Sequence, residues 1–188
     1  MKNNLEIAVF GGGCFWCTEA IFSELKGIIN VISGYAGGKM DKPSYFDVSS
    51  EKTGHAEVVK IEFDPEIISY DDLLEIFWNV HDPTSLNRQG NDTGTEYRSI
   101  ILYTDKIQKK KALKSLEDLE KSEVLGKPVV TEIKALDKFY EAESYHKNYY
   151  QKNSNEPYCE FVISPKLRHL REKYGNRLKV KNSGNLYA

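Results

Sequence analysis

The sequence predicts an α+β fold: a β-α-β-β-α-β core in the ferredoxin-like arrangement, a mixed and mainly antiparallel sheet, and an irregular C-terminal tail. Three observations carry this expectation. Segments that alternate apolar and polar residues, the period of a half-buried strand, are interleaved with apolar stripes at helical spacing. Glycine-rich or polar stretches separate them. The chain has 188 residues, 40 % of them hydrophobic, which suits one domain with a core of its own.

Leu5 to Phe10 alternates and reads as the first strand, broken by Gly11-Gly12-Gly13. From Cys14 to Leu25, Cys17, Ile21 and Leu25 recur at i, i+4, and Gly27 closes that helix. Ile28 to Tyr35 reads as the second strand, and Gly37-Gly38 opens a polar loop to about Gly54. His55 to Phe63 is the third strand, with Glu57, Val59, Ile61 and Phe63 on one face. Ser69-Tyr70-Asp71-Asp72 is a helix-start pattern, and Leu73, Leu74, Phe77 and Trp78 give that helix its apolar side. A long polar loop, His81 to Glu96, leads to a fourth strand at Tyr97 to Tyr103. Asp105 to Ser122 is an amphipathic helix with Ala112, Leu113, Leu116 and Leu119 inward and its lysines in water. Val129 to Leu136 reads as a fifth strand. Phe139 to Lys152 is predicted helical, with Tyr145, Tyr149 and Tyr150 covering the core. Past Asn153 the chain reads as irregular, apart from a short helix at Lys166 to Lys173. No repeat or linker divides it. Residues 1–188 are therefore read as one catalytic domain: a core over about 5–152 and a mobile tail over about 153–188 carrying Cys159.

Charge narrows the function classes. Lys and Arg total 26 against 28 Asp and Glu, so no basic excess favours a nucleic-acid backbone. Apolar runs such as Ile100-Ile101-Leu102-Tyr103 are too short to span a bilayer. The first residues lack a long apolar secretory segment, and the expected location is the cytoplasm. Three cysteines, Cys14, Cys17 and Cys159, do not make a disulfide framework; they leave thiol chemistry, metal binding or inert buried thiols.

The chemistry concentrates at Gly11-Gly12-Gly13-Cys14-Phe15-Trp16-Cys17, where a strand turns into a helix. A thiol at a helix N-terminus lies in the positive end of the dipole, which favours thiolate. Phe15 and Trp16 supply an apolar wall beside it. The same residues would also serve as a plain turn with a small buried cysteine. Cys14 and Cys17 stand one helical turn apart, which suits a redox pair or half of a zinc site. Zinc needs a second ligand pair, and Cys159 and the four histidines show no such spacing, so the expectation is no metal and no cofactor. Glu57 shares the apolar face of its strand, where a carboxyl has a raised pKa and serves as a general acid near neutrality. The polar run Asn91-Asp92-Thr93-Gly94-Thr95-Glu96-Tyr97 is long enough for a functional loop.

At Gly-Gly-Cys14-Phe15-Trp16 the sequence resembles the A-type peptide methionine sulfoxide reductases. The resemblance continues, in register, through Ser33-Gly34-Tyr35-Ala36-Gly37-Gly38, Pro43-Ser44-Tyr45 and Thr53-Gly54-His55-Ala56-Glu57. It extends over His81-Asp82-Pro83-Thr84, Gly94-Thr95-Glu96-Tyr97-Arg98-Ser99 and Phe139 to His146, and Pro157-Tyr158-Cys159 resembles a common family tail. The resemblance implies that Cys14 attacks the sulfoxide sulfur and Glu57 protonates its oxygen. It also implies that Tyr45 and Tyr97 hydrogen-bond that oxygen, that Asp92 organises the site, and that Phe15 and Trp16 bind the methionine methyl and stem. Methionine then leaves, and the Cys14 sulfenic acid condenses with a resolving thiol, by family analogy Cys159, with Cys17 the rival. Thioredoxin would reduce the disulfide, and the substrate would be the S epimer, free or in oxidised proteins. A monomer is expected. The chain departs from many family members at Cys17, where glycine is common. A general thiol–disulfide oxidoreductase using Cys14 and Cys17, or a methionine-binding module, are the competing readings.

Overall fold

The computed structural model describes residues 4–180; residues 1–3, and 181–188 at the end of the expected tail, lie outside it. The first alternating segment forms strand β1 (Glu6–Gly11) and runs through the glycines into helix α1 (Phe15–Ser23). Strand β2 (Ile28–Ala36) follows. The loop after it holds a short helix, α2 (Tyr45–Ser49), closed by a reciprocal cap between Ser44 and Asp47. Strand β3 (Ala56–Phe63) and helix α3 (Tyr70–Val80) come next, the latter capped by Ser69 and Asp72 as its start pattern predicts. The polar loop contains a hairpin, β4 (Arg88–Gln89) and β5 (Asp92–Thr93), and a helical turn at Thr95–Tyr97. Strand β6 (Ile100–Tyr103), helix α4 (Lys106–Lys121) and strand β7 (Glu132–Ala135) complete the first pass.

One mixed sheet of six strands runs β7-β6-β1-β3-β2 and ends on strand β8 (Phe139–Glu141). Every pairing is antiparallel except β6 with β7. The fold class is thus α+β. Val59, Ile61 and Phe63 belong to the main core, with Phe10, Phe22, Leu73 and Phe77. Val58 and Ala56 point to the other face, into a smaller cluster with Val9, Ile100 and Leu102. This is the parity expected for β3. Trp78 Nε1 donates to Ser115 Oγ at 2.7 Å and ties α3 to α4.

Two segments differ from expectation. Phe139–Lys152 is not one helix: β8 pairs its first residues with β2, a helical turn spans Ser144–His146, and only Tyr149–Lys152 is helical (α5). The edge of β2 offers unpaired backbone groups, and pairing there outweighs local helical preference. Tyr145 is exposed, not core-covering. In the tail, the short helix expected at Lys166 to Lys173 is helix α6 (Ser164–Tyr174), and the departure is the π-helical turn at Cys159–Ile163 that leads into it. Leu167 and Leu170 on one face of α6, with Ile163 just before it, enter the core, and that burial fixes the helix. On α4, Leu113 is 46 % exposed; the inward stripe is Gln108, Ala112, Leu116 and Leu119. Among the described residues no helix is long and apolar enough to cross a membrane.

Candidate active site

Eight residues line a cavity of about 70 Å³: Cys14, Phe15, Trp16, Tyr45, Glu57, Asp92, Tyr97 and Tyr158. Seven of these are the residues singled out from sequence. Cys14 is the residue before α1, where the turn from β1 is made possible by Gly13 at φ +88°. A Cβ at Gly13 would also strike Gln89 Cγ at 2.6 Å. The turn aims Phe15 N–H at β3, where it donates to Glu57 Oε2 at 2.9 Å. The helix N-terminus therefore serves Glu57 as well as Cys14.

Glu57 is 2 % exposed. Burial pushes its pKa up to about 8, against the opposing Phe15 hydrogen bond, and the nearby Glu96 and Asp92 carboxylates raise it further. It is therefore largely protonated at neutral pH. Cys14 does not follow the expectation of a simple helix-stabilised thiolate. Burial raises its pKa well above the ordinary thiol value, and the hydrogen bond to Cys17 and the charge of Glu57 add to this. Cys17 shifts the other way: its interaction with the neighbouring Cys14 thiol lowers its pKa to about 7 against its own burial, and the Lys166 charge lowers it further.

The aromatic wall is held from a distance in sequence. Trp16 Nε1 donates to His146 Nδ1 at 3.0 Å, and the indole stacks on Tyr149 with centroids 3.6 Å apart. His146 also meets Phe15 and Tyr45 ring to ring, at 4.9 and 4.8 Å. Glu143 accepts from Tyr45 N at 2.8 Å and from Tyr35 Oη at 2.9 Å, which places α2 over the cavity. Arg98 donates to Thr95 O at 2.8 Å and Gly54 O at 2.9 Å, fastening the Tyr97 turn to the start of β3.

Cys17 and Cys159 lie outside the cavity. Cys17 sits behind it in a narrow space with Gly12, His81 and Lys166, its Sγ 3.8 Å from Tyr158 Oη. Cys159 is fully buried in the main core. All three thiols are unpaired to one another. Among the described residues no cluster of His, Cys, Asp and Glu is arranged to hold a metal ion. His55, His81 and His146 are each engaged by hydrogen bonds within the chain.

Sequence reasoning missed Tyr158, whose hydroxyl donates to Asp92 Oδ2 at 2.7 Å, and His146, the anchor of Trp16. Both stand in the motifs quoted above, one beside Cys159 and one closing the Phe139 segment, yet nothing local marks them as site residues. The helix α2 carried a readable signal in Ser44-Tyr45-Phe46-Asp47, the same cap pattern as at Ser69.

The comparisons with known proteins agree with this geometry. The family model described as peptide methionine sulfoxide reductase matches residues 6–178. The peptide methionine sulfoxide reductase MsrA of Nautilia profundicola is 56 % identical over 175 residues, covering 93 % of this chain and 95 % of that one. That of Saccharolobus solfataricus is 52 % identical, covering 94 % and 98 %. Among solved structures, Mxr1 from Saccharomyces cerevisiae in reduced form superposes with a TM-score of 0.78 at 31 % identity, covering 85 % of this chain and 91 % of that one. Mxr1 in complex with Trx2 shares the fold at a TM-score of 0.56 and 21 % identity, covering 79 % and 87 %. On its sequence and its fold, this chain belongs to the peptide methionine sulfoxide reductase family.

Proposed function

We propose that this chain is an oxidoreductase that reduces the S epimer of methionine sulfoxide, in oxidised proteins and as the free amino acid, and repairs oxidative damage. One observation carries the reading. A neutral carboxyl, Glu57, and a thiol, Cys14, share a small aromatic-walled cavity. A sulfoxide oxygen is a poor leaving group until protonated, so the reaction needs an acid at the oxygen and a nucleophile at the sulfur.

Phe15 and Trp16 receive the methyl and stem, while Tyr45 and Tyr97 donate to the sulfoxide oxygen. Phe15 N–H occupies one oxygen of Glu57, leaving the other to deliver its proton. Cys14 loses its proton to the neighbouring Cys17 thiolate and attacks sulfur. The S–O bond breaks, the oxygen passes to Cys14 as sulfenic acid, Glu57 is left as carboxylate, and methionine departs. Asp92 accepts from the Tyr158 hydroxyl and so fixes that ring in the cavity wall. A second thiol, Cys159 or Cys17, then condenses with the sulfenic acid and expels water. The family resemblance brings thioredoxin as the reductant, and the solved complex of Mxr1 with Trx2 supports that partner. No cofactor or metal enters this scheme.

The same reading takes the chain as a cytoplasmic monomer and one catalytic domain, with residues from about 153 moving to present Cys159. It takes the β6-β1-β3-β2 order, antiparallel throughout, as support for a ferredoxin-like core. The test is to incubate reduced protein with separated S and R epimers of a blocked methionine sulfoxide and dithiothreitol, and to quantify methionine. Product from the S epimer alone is expected. No product from either epimer, with thiols free and fold intact, refutes the reductase reading and leaves thiol–disulfide exchange to be tested on insulin.

A further inference from the structure

We propose that Glu19 is a positioning residue for substrate binding: its carboxylate, on α1, clamps the start of α5 and so holds the Tyr149 ring against one face of Trp16. The assignment rests on the reductase reading, in which Trp16 receives the methionine stem.

Glu19 is a carboxylate that the reaction does not use. It is 2 % exposed, yet it does not line the cavity. A buried carboxylate keeps its charge only where hydrogen-bond donors meet it. The donors here are backbone groups of the next layer: Asn148 N–H donates to Glu19 Oε1 at 3.1 Å, and Tyr149 N–H acts on the same carboxylate. Burial raises the Glu19 pKa, and these N–H groups and the Lys152 and Lys147 charges oppose that rise.

The clamp meets a need of α5. That helix is a single turn, Tyr149–Lys152, and a helix start leaves its first N–H groups without partners of their own. Asn148, just before it, lies at φ +52°, and its side chain supplies no cap. A turn this short does not hold itself in water. Glu19 reaches across from another helix and takes the place of the missing cap.

Spacing decides what the clamp positions. Trp16 and Glu19 are three residues apart on α1 and share a face. On that face Trp16 Nε1 donates to His146 Nδ1 at 3.0 Å, and the indole lies within 4° of parallel to Tyr149 at 3.6 Å. His146 thus pins the edge of the indole and Tyr149 backs its plane. Tyr149 lines no part of the cavity, so its stacking bears on the substrate through Trp16. A stacked ring restrains its neighbour only while it is itself restrained. Without the Glu19 carboxylate, Tyr149 loses its anchor, and the indole is held at its Nε1 edge alone. The pocket then lacks one fixed wall, while Cys14 and Glu57 stay in place. Binding should weaken and the chemical step should not.

The experiment is quenched single-turnover release of methionine by the reduced chain, over a series of blocked methionine S-sulfoxide concentrations. It separates the half-saturating concentration from the limiting rate. Glu19→Ala is expected to raise half-saturation by about tenfold and to keep the limiting rate within about threefold. In a Tyr149→Ala background the same change should add no more than about twofold, because Glu19 acts through Tyr149. The near-ultraviolet circular dichroism lost in Tyr149→Ala, the signal of the stacked pair, should be lost in Glu19→Ala as well. Glu19→Gln keeps an accepting oxygen and should raise half-saturation by only about threefold. Where Glu19→Ala does not fold, Glu19→Gln runs the same cycle, and its smaller rise must likewise vanish on Tyr149→Ala. Additive effects of the two positions overturn the assignment. So does an unchanged half-saturation, or a fall confined to the limiting rate. Failure of the wild type to release methionine instead overturns the reductase reading, and the assignment with it.

Discussion

Replacing Glu57 by Gln tests the acid and the fold together. In the native chain the Glu57 pKa stands at about 8 against an ordinary 4.5, because burial disfavours the charge. A carboxyl whose folded pKa is raised costs stability wherever the unfolded chain ionises and the folded chain resists it. The cost is absent below pH 4.5, grows between 4.5 and 8, and is complete above 8. At 1.36 kcal/mol per decade, the gap makes the cost about 1 kcal/mol at pH 5.5, about 3 at pH 7 and about 4–5 at pH 8.5. Glutamine removes the ionisation and keeps an oxygen to accept from Phe15 N–H. Glu57→Gln is therefore expected to be more stable than wild type by these amounts, with the gain rising with pH. Methionine release in the first turnover should fall by about 10²–10⁴-fold, the usual contribution of a general acid. The assays are urea unfolding of the reduced proteins at the three pH values, and quenched single-turnover release of methionine. A stability difference that stays flat with pH would show that Glu57 is not held neutral. First-turnover rates within threefold of wild type would show that it is not the acid.

Three further outcomes follow from other contacts. Trp16→Phe deletes the indole N–H bond to His146 and trims the surface stacked on Tyr149, so KM should rise by about tenfold, with a smaller loss in kcat, in steady-state assays. Tyr158→Phe removes a hydroxyl whose single proton goes either to Asp92 or to the Cys17 thiolate, and which lowers the Cys17 pKa. The first thiol to titrate, followed by thiolate ultraviolet absorbance, should then do so at higher pH; an unchanged titration refutes the contact. Ser69→Ala opens the reciprocal cap on α3 and should lower unfolding stability by about 1 kcal/mol, with no change in the thiol titration.

The readable parts of this protein were those where local pattern and final environment coincide. The Ser69 cap started a helix because its partner, Asp72, is three residues away. The parity of Val59, Ile61 and Phe63 placed Glu57 on the core face because a strand alternates whatever its neighbours are. Phe139–Lys152 was misread because β2, not its own propensity, decides its conformation. The turn at Cys159–Ile163 departs from the irregular reading because burial of Cys159 and Ile163 in the core, beyond the local pattern, decides its conformation, whereas the helix expected at Lys166 to Lys173 is α6.

By itself the sequence determined the order of the main elements β1-α1-β2-β3-α3-β6-α4-β7, the turn that presents Cys14, and the face that carries Glu57. Each depends on residues within a few positions of one another. The tertiary structure decided the protonation of Glu57, the sharing of charge between Cys14 and Cys17, and the separation of Cys159 from the cavity. Those depend on desolvation and on contacts between distant residues. Phe15 and Glu57 are 42 positions apart, and Cys17 and Tyr158 are 141 apart. A pKa is set by what surrounds a group in space, and only the folded chain brings those surroundings together.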